Sequence, residues 1–220
     1  DIYSALPERE EVGSLAAFLV ELQKRQCGVE VFTTNYDLVL DTIVSSSSFD
    51  TGLSLCHLSS GVKGTILDMG AWALISGAHL QSLEGERGRL TKLHGSVNWK
   101  RNGEDIIVGD PSFAGDHAKH PVLYPGFKGE PEDEPFISFH QHLEWAVSKA
   151  QAAIFIGFSF RDPYINGILS NLSSEILKTV VNKNEIQEDQ FPFDGPIFQT
   201  SDGFQADAVS DIVDLLDGRA

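Results

Sequence analysis

The chain has 220 residues, 41% of them hydrophobic, which is enough to bury a substantial core without disulfides or structural metal. Its 16 basic and 32 acidic residues leave a formal net charge of −16, which repels phosphate backbones and anionic lipid and argues against direct binding of nucleic acid or membranes. Two cysteines, Cys27 and Cys56, are too few for a disulfide framework and lack the paired spacing of a zinc site, so a reducing, cytoplasmic setting is the simplest reading. No apolar run approaches the roughly 18 residues of a membrane span, and no secretory leader precedes the first helical pattern. Met69 is the only methionine, and the lack of an initiator Met points to an excised or processed piece.

In SLAAFLVELQKRQ (14–26), Leu15, Phe18, Leu19 and Leu22 recur at helical spacing behind Ser14 as a candidate cap, and Gly28 ends the pattern. Residues 29–34 read as a strand. Beyond Tyr36, Leu38, Val39, Leu40, Ile43 and Val44 read as a short helix before the serine run at 45–48. RLTKLHGS (89–96) alternates like a strand that ends at a glycine turn. Residues 97–135, rich in Gly, Pro and acid, read as an irregular insertion, within which VNWKRNGEDIIVGD suggests a small hairpin. The acidic stretch GEPEDEPF (129–136) reads as solvated surface.

ISFHQHLEWAVSKA predicts an amphipathic helix carrying Phe139, Leu143, Trp145, Ala146 and Ala150. It runs into AAIFIGFSF, a continuous apolar strand of the kind buried on both faces of a parallel sheet. RDPYINGILSNL then places Asp162 at a cap position with Pro163 behind it, a favoured helix start. ILKTVVN (176–182) reads as a further strand and AVSDIVDLLD (208–217) as a closing helix. The alternation is that of an α/β fold: one domain over 1–220 with a doubly wound, mainly parallel, Rossmann-like sheet and ligand outside the carboxyl ends of its strands.

Three of those strand ends carry polar clusters: TTNYD at 33–37, KLHGS at 92–96 and GFSFRD at 157–162. A purely structural alternative makes Asn35, Asp37, Ser159 and Asp162 helix caps and His94 a turn histidine. Their joint occurrence at three strand ends favours a shared site. The set TTNYD, KLHGS and IGFSFRDPYIN resembles the sirtuin-like superfamily, most closely its branch of NAD-hydrolysing domains found in bacterial anti-phage systems. The third stretch is the most specific, with Gly157, Ser159, Arg161, Asp162, Ile165 and Asn166 all in place, and the resemblance spans roughly 29–182.

The resemblance implies a sirtuin-like domain with NAD as substrate. It assigns Asn35 and His94 to catalysis, Asp37 to the nicotinamide end, and Gly157 and Ser159 to the adenosine-side ribose and phosphates; Thr34, Ser96 and Asn182 complete the implied NAD-binding set. Cleaving the nicotinamide–ribose bond expels a neutral leaving group and leaves an oxocarbenium-like sugar, so a site must orient a water or ribose hydroxyl and stabilise positive charge. An amide can orient, a carboxylate can stabilise, and an imidazole can accept the proton. The resemblance also implies the effector part of a larger defence or signalling protein, a homo-oligomer with regulatory domains or partner proteins.

Two departures from the family pattern carry information. Sirtuin deacylases hold a four-cysteine zinc ribbon between the second and third motifs, whereas 97–156 contains no cysteine, which disfavours lysine deacylation and predicts a zinc-free insertion. His117, His120, His140 and His142 do not replace the ribbon, since 140 and 142 on a helix point to different sides, and no metal is expected. The family's Gly-rich phosphate loop has no counterpart before residue 29, which again suggests a fragment lacking the N-terminal strand and loop. A serine hydrolase fits poorly, because Arg161 stands where a nucleophile elbow needs glycine. A dehydrogenase lacks G-x-G-x-x-G. A non-catalytic NAD or ADP-ribose sensor or oligomerisation module remains the alternative to a hydrolase, and dependence on His94 separates the two.

Overall fold

The computed structural model describes residues 10–25, 28–44, 49–50, 53–54, 65–67, 88–102, 105–109, 121–123, 129–201 and 203–218. Helix α1 (Glu10–Lys24) starts upstream of the sequence expectation, so Ser14 lies buried inside it and is not its cap. The preceding EEVG holds no breaker: a glycine inside a helix costs only about 1 kcal/mol. The chain divides into two units, with α1 parted between them at Leu19 and Val20.

The first unit contains β1 (Val29–Thr33), α2 (Val39–Val44), β2 (Phe49–Asp50), β3 (Leu53–Ser54), β4 (Thr65–Leu67), β5 (Gly88–Lys92), β6 (Trp99–Asn102) and β7 (Asp105–Val108). Its parallel sheet has the order β1-β5-β2, with β1 and β5 in register from Val29↔Gly88 to Thr33↔Lys92. A second sheet, β3-β4-β7-β6, is antiparallel, and its β6–β7 pair is the hairpin suggested by VNWKRNGEDIIVGD. Leu90, Leu93, Val97, Trp99, Ile106 and Ile107 are buried, and Trp99 meets Phe139 with ring centroids 6.1 Å apart. Between its neighbours, β5 is buried along its whole length, including two cations. Arg89 stands opposite Glu30 in the ladder, with Nη1 3.9 Å from the carboxylate, so opposite charges meet on a cross-strand pair.

Helix α3 (Phe136–Lys149) begins in the first unit and continues past His140 in the second. The second unit then runs through β8 (Ala152–Ile156), α4 (Pro163–Leu169), β9 (Leu177–Val181), a 3-10 turn at Glu188–Gln190, β10 (Ile197–Thr200) and α5 (Ala206–Leu216). Its strands form a parallel sheet of order β10-β9-β8. The central strand is β9, whose Val180 and Val181 are buried, whereas β8 lies at the edge of the described sheet and is half-buried. That corrects the expectation of a strand covered on both faces: the apolar run AAIFI owes its character in part to Phe155, which packs on Phe160 and Phe193 with centroids 5.2 Å away in each case. Phe18 meets Phe204 edge-on at 5.5 Å, and Ile212 of α5, which packs on β9, is fully buried.

Parallel strands alternating with helices make this an α/β, Rossmann-like fold. No helix among the described residues is long and apolar enough to cross a membrane. Because Ile212 has no exposure while its neighbour Asp211 faces solvent, Ile212→Ala lowers the unfolding free energy by about 2–5 kcal/mol and Asp211→Ala leaves it within about 0.5 kcal/mol, both read from urea midpoints.

Candidate functional site

The last ladder pair of β1 and β5 is Thr33↔Lys92, and Asn35 and His94 each follow two residues later, so both leave the same carboxyl edge. The ladder is extended by one further bond, Leu93 N–H to the Thr33 carbonyl at 2.9 Å. The Thr33 hydroxyl accepts from Asn35 N–H at 3.1 Å, which turns the chain out of the strand and leaves Asn35 exposed. Thr34 beside it is half-buried. Asp37 Oδ1 accepts from Val39 N–H at 3.0 Å and starts α2, which therefore begins later than the apolar pattern from Tyr36 suggests.

Beneath this edge lies Lys92, 4% exposed. Its ammonium donates to the Asp37 carbonyl, to Asp41 Oδ2 at 2.7 Å and to Ser96 Oγ at 2.9 Å. An ammonium has three hydrogens, and three acceptors surround it. Ser96, which has no exposure, passes its own proton toward the Tyr36 carbonyl at 3.3 Å. A serine–lysine nucleophile is therefore not what this pair forms: the lysine donates to the hydroxyl instead of drawing a proton from it. Burial pushes the Lys92 ammonium below its ordinary 10.5, and the attraction of Asp41 and then Asp37 only partly opposes that.

The His94 loop has a second set of fastenings. Gly95 N–H closes a turn on the Lys92 carbonyl at 3.0 Å, Val97 N–H reaches the Tyr36 carbonyl at 3.0 Å, and Leu123 N–H reaches the His94 carbonyl at 3.0 Å. Gly95 also bridges to Val122, and the Tyr36 hydroxyl donates to the Leu123 carbonyl. Gly95 has φ +85, and a Cβ there would lie 2.2 Å from the Pro121 carbonyl oxygen, so both conformation and space demand glycine. The half-buried His94 ring lies between Tyr36, 6.4 Å away centroid to centroid, and His140, 6.3 Å away at an interplanar angle of 21°. His140 Nδ1 lies 2.8 Å from the Phe136 carbonyl, which can only accept, so that nitrogen carries hydrogen. His142 stacks on Trp145 at 5.7 Å, while His117 and His120 lie outside the described residues. Among the described residues no group of His, Cys, Asp and Glu has the placement of a metal site.

The third motif belongs to the second unit. Gly157 leaves β8 with φ +65, its N–H bonded to the Val181 carbonyl at 2.8 Å, and the space a Cβ would enter is open. Ser159 is exposed. Two asparagine amides hold the carbonyls on either side of it: Asn182 Nδ2 donates to Phe158 at 3.0 Å and Asn166 Nδ2 to Phe160 at 2.8 Å. Phe160 adopts φ 52, uncommon outside glycine, with its ring packed edge-on against Phe155, Phe158, Phe191 and Phe193. Asp162 Oδ1 then accepts from Tyr164 and Ile165 N–H at 3.0 and 3.1 Å, capping α4 as its Asp-Pro start predicts.

Thr34, Asn35, Asp37, His94 and Ser96 thus gather at one sheet edge of the first unit, and Gly157, Ser159 and Asn182 gather at one loop of the second. Sequence reasoning overlooked Lys92 and Tyr36, and it placed Asn166 in the third motif without a role; all three act on backbone carbonyls. The family described as SIR2-like domain matches residues 29–185 of the chain, which contain all eight of these site positions. No curated protein matches it.

Two expectations follow from the geometry. Gly95→Ala meets both a positive φ and the Pro121 carbonyl, so the urea midpoint falls by the equivalent of at least about 1–3 kcal/mol. For Lys92, the folded value is depressed while the unfolded chain keeps 10.5, so over the window between them the unfolded state holds a proton the folded state lacks, and stability rises with pH. Denaturation of wild type and Lys92→Met across that window should show the wild type gaining stability relative to the variant as pH increases toward 10.5; parallel profiles would contradict the assignment.

Proposed function

This chain belongs to the SIR2-like domain family, and from that premise we propose that it hydrolyses NAD to nicotinamide and ADP-ribose. The observation that carries the reading is the emergence of Asn35 and His94 from one carboxyl edge, each two residues past the register pair Thr33↔Lys92. The exposed Asn35 amide orients the attacking water or the ribose, and the half-buried His94 imidazole accepts the proton as the sugar–nitrogen bond breaks. Asp37 lies within the same turn, where its carboxylate favours the positive charge that develops on the sugar and engages the nicotinamide end. The binding roles of Thr34 and Ser96, and those of Gly157, Ser159 and Asn182 toward the adenosine end, form part of the same proposal. So do a cytoplasmic setting, homo-oligomerisation and control by regulatory domains or partner proteins in anti-phage defence or signalling.

Incubation of the full-length protein with NAD, with and without candidate activators, tests this by nicotinamide release. His94→Ala should lower kcat by about 10²–10⁴-fold, the usual contribution of a positioned acid or base, and Asn35→Ala should lower it in the same direction. Equal turnover in all three proteins would remove the assigned roles. Tight NAD binding without turnover would make the chain a dinucleotide sensor.

A further inference from the structure

Asp37 and Ser96 stand on two different loops, and one buried side chain touches both. The Lys92 ammonium holds the Asp37 carbonyl, Asp41 Oδ2 at 2.7 Å and Ser96 Oγ at 2.9 Å. Asp41 lies on α2, Asp37 in the turn that leads into it, and Ser96 in the loop that follows β5. Removing the ammonium leaves a carboxylate, a carbonyl and a hydroxyl facing a space where their shared donor had been, and the Asp37 peptide loses its tie to β5, whereas Asn35 N–H keeps its bond to the Thr33 hydroxyl at 3.1 Å. The backbone of His94 keeps separate support from Leu123 N–H and from the Gly95–Val122 bridge. The two functions of the edge, gripping the substrate and moving the proton, are thus fastened by different bonds.

We propose that Lys92 is a positioning residue for the nicotinamide end of the dinucleotide, setting the Asp37 peptide against the Ser96 loop without itself touching substrate, while the catalytic Asn35 is held apart from it by the Thr33 hydroxyl. This rests on the NAD reading above and adds to it a separation of binding from chemistry. With 4% exposure and its hydrogens directed to three protein acceptors, the ammonium is not placed to contact a ligand. Its effect reaches substrate through the peptide of Asp37 and the hydroxyl of Ser96.

A second buried lysine supplies the control. Lys178, in β9, has no exposure and donates to the carbonyls of Ser173 at 2.7 Å and Ile176 at 3.1 Å. Lys178→Met removes a buried ammonium from a place with no proposed role in the site, so it reports what general destabilisation alone does. The test compares wild type, Lys92→Met, Asp41→Asn and Lys178→Met in the full-length protein, measuring NAD binding by calorimetry, kcat and KM for nicotinamide release, and thermal unfolding. Lys92→Met should raise Kd and KM by about tenfold to a hundredfold, the range of a lost charge-assisted hydrogen bond, while kcat changes by less than about threefold. Asp41→Asn, which keeps an acceptor but not the charge, should move KM the same way by less, and it carries the test should Lys92→Met fail to fold.

Lys178→Met should lower the unfolding temperature and leave KM unchanged. Wild-type Kd and KM in a folded Lys92→Met, or an equal rise in Lys178→Met, would overturn the positioning role while leaving the hydrolase reading standing. If wild type binds NAD without releasing nicotinamide and Lys92→Met binds it more weakly, the positioning role holds and the hydrolase reading falls. A wild type that neither binds nor cleaves NAD overturns both.

Discussion

An ammonium group buried at the end of β5 governs the form of the whole sheet edge around it. Moving a charge of that size out of water costs several kcal/mol even after relaxation, and the cost is offset only when every hydrogen finds an acceptor of good geometry. Lys92 finds its acceptors on three separate pieces of chain: a carbonyl in the turn after β1, a carboxylate on α2 and a hydroxyl in the loop after β5. None of the three can shift far without leaving the charge unsatisfied. The Asp37 peptide and the loop bearing Ser96 are therefore held to one another by an electrostatic requirement. The wedge formed by Pro121, Val122 and Leu123 on Gly95 and His94 completes the arrangement from the other direction, admitting only glycine at its point of closest approach.

The second unit solves a similar problem with neutral groups. Its loop after β8 turns through positive φ at Gly157 and again at Phe160, a conformation that costs of order 1–3 kcal/mol for a non-glycine residue and persists only when the surroundings over-determine it. Here the surroundings are the four phenylalanine rings around Phe160 and the amides of Asn166 and Asn182 on the flanking carbonyls. Apolar packing fixes the ring, the amides fix the peptides, and Ser159 is left facing solvent between them. Asn182 thus acts at least in part on the protein's own backbone, through its hold on Phe158.

Much of the scaffold was legible because periodicity records burial. The strand at 29–34, the β6–β7 hairpin, helix α3, the Asp162–Pro163 helix start and the β9 strand all appear where alternation, turn residues or caps place them. What escaped was set by partners distant in sequence. β5 ends at Lys92 before the Gly95 turn, as the glycine suggests, but the Pro121 carbonyl that admits only glycine there comes from a segment with no local signature at residue 95. β8 is less covered than its apolar run implies because it takes the edge of its sheet among the described residues, a matter of strand order that composition does not encode. Within the candidate site, Asn35, Asp37 and His94 could be read as polar residues at strand ends, but Lys92 could not be read as the tie between the Asp37 turn and the Ser96 loop. A lone lysine in a strand suggests a solvated face, and only the register that brings Asp41 and Ser96 to it shows otherwise.

The disposition of charge follows the same logic. Arg89 and Lys92, both buried in β5, face Glu30 and Asp41 within their own unit, so these charges balance in pairs and the formal −16 is carried by the remaining residues. An approaching dinucleotide therefore meets opposing influences: its diphosphate is repelled by the acidic exterior, while a cationic nicotinamide ring is attracted. Beyond about 8 Å at physiological ionic strength both effects are largely screened, and short-range contacts decide. Under the proposed NAD reading, an edge that presents a neutral amide and the Asp37 carboxylate, whose peptide carbonyl a buried cation holds, suits the cationic end of such a molecule. The diphosphate is better served by neutral donors, because hydrogen bonds to an anion need no net positive charge in the protein.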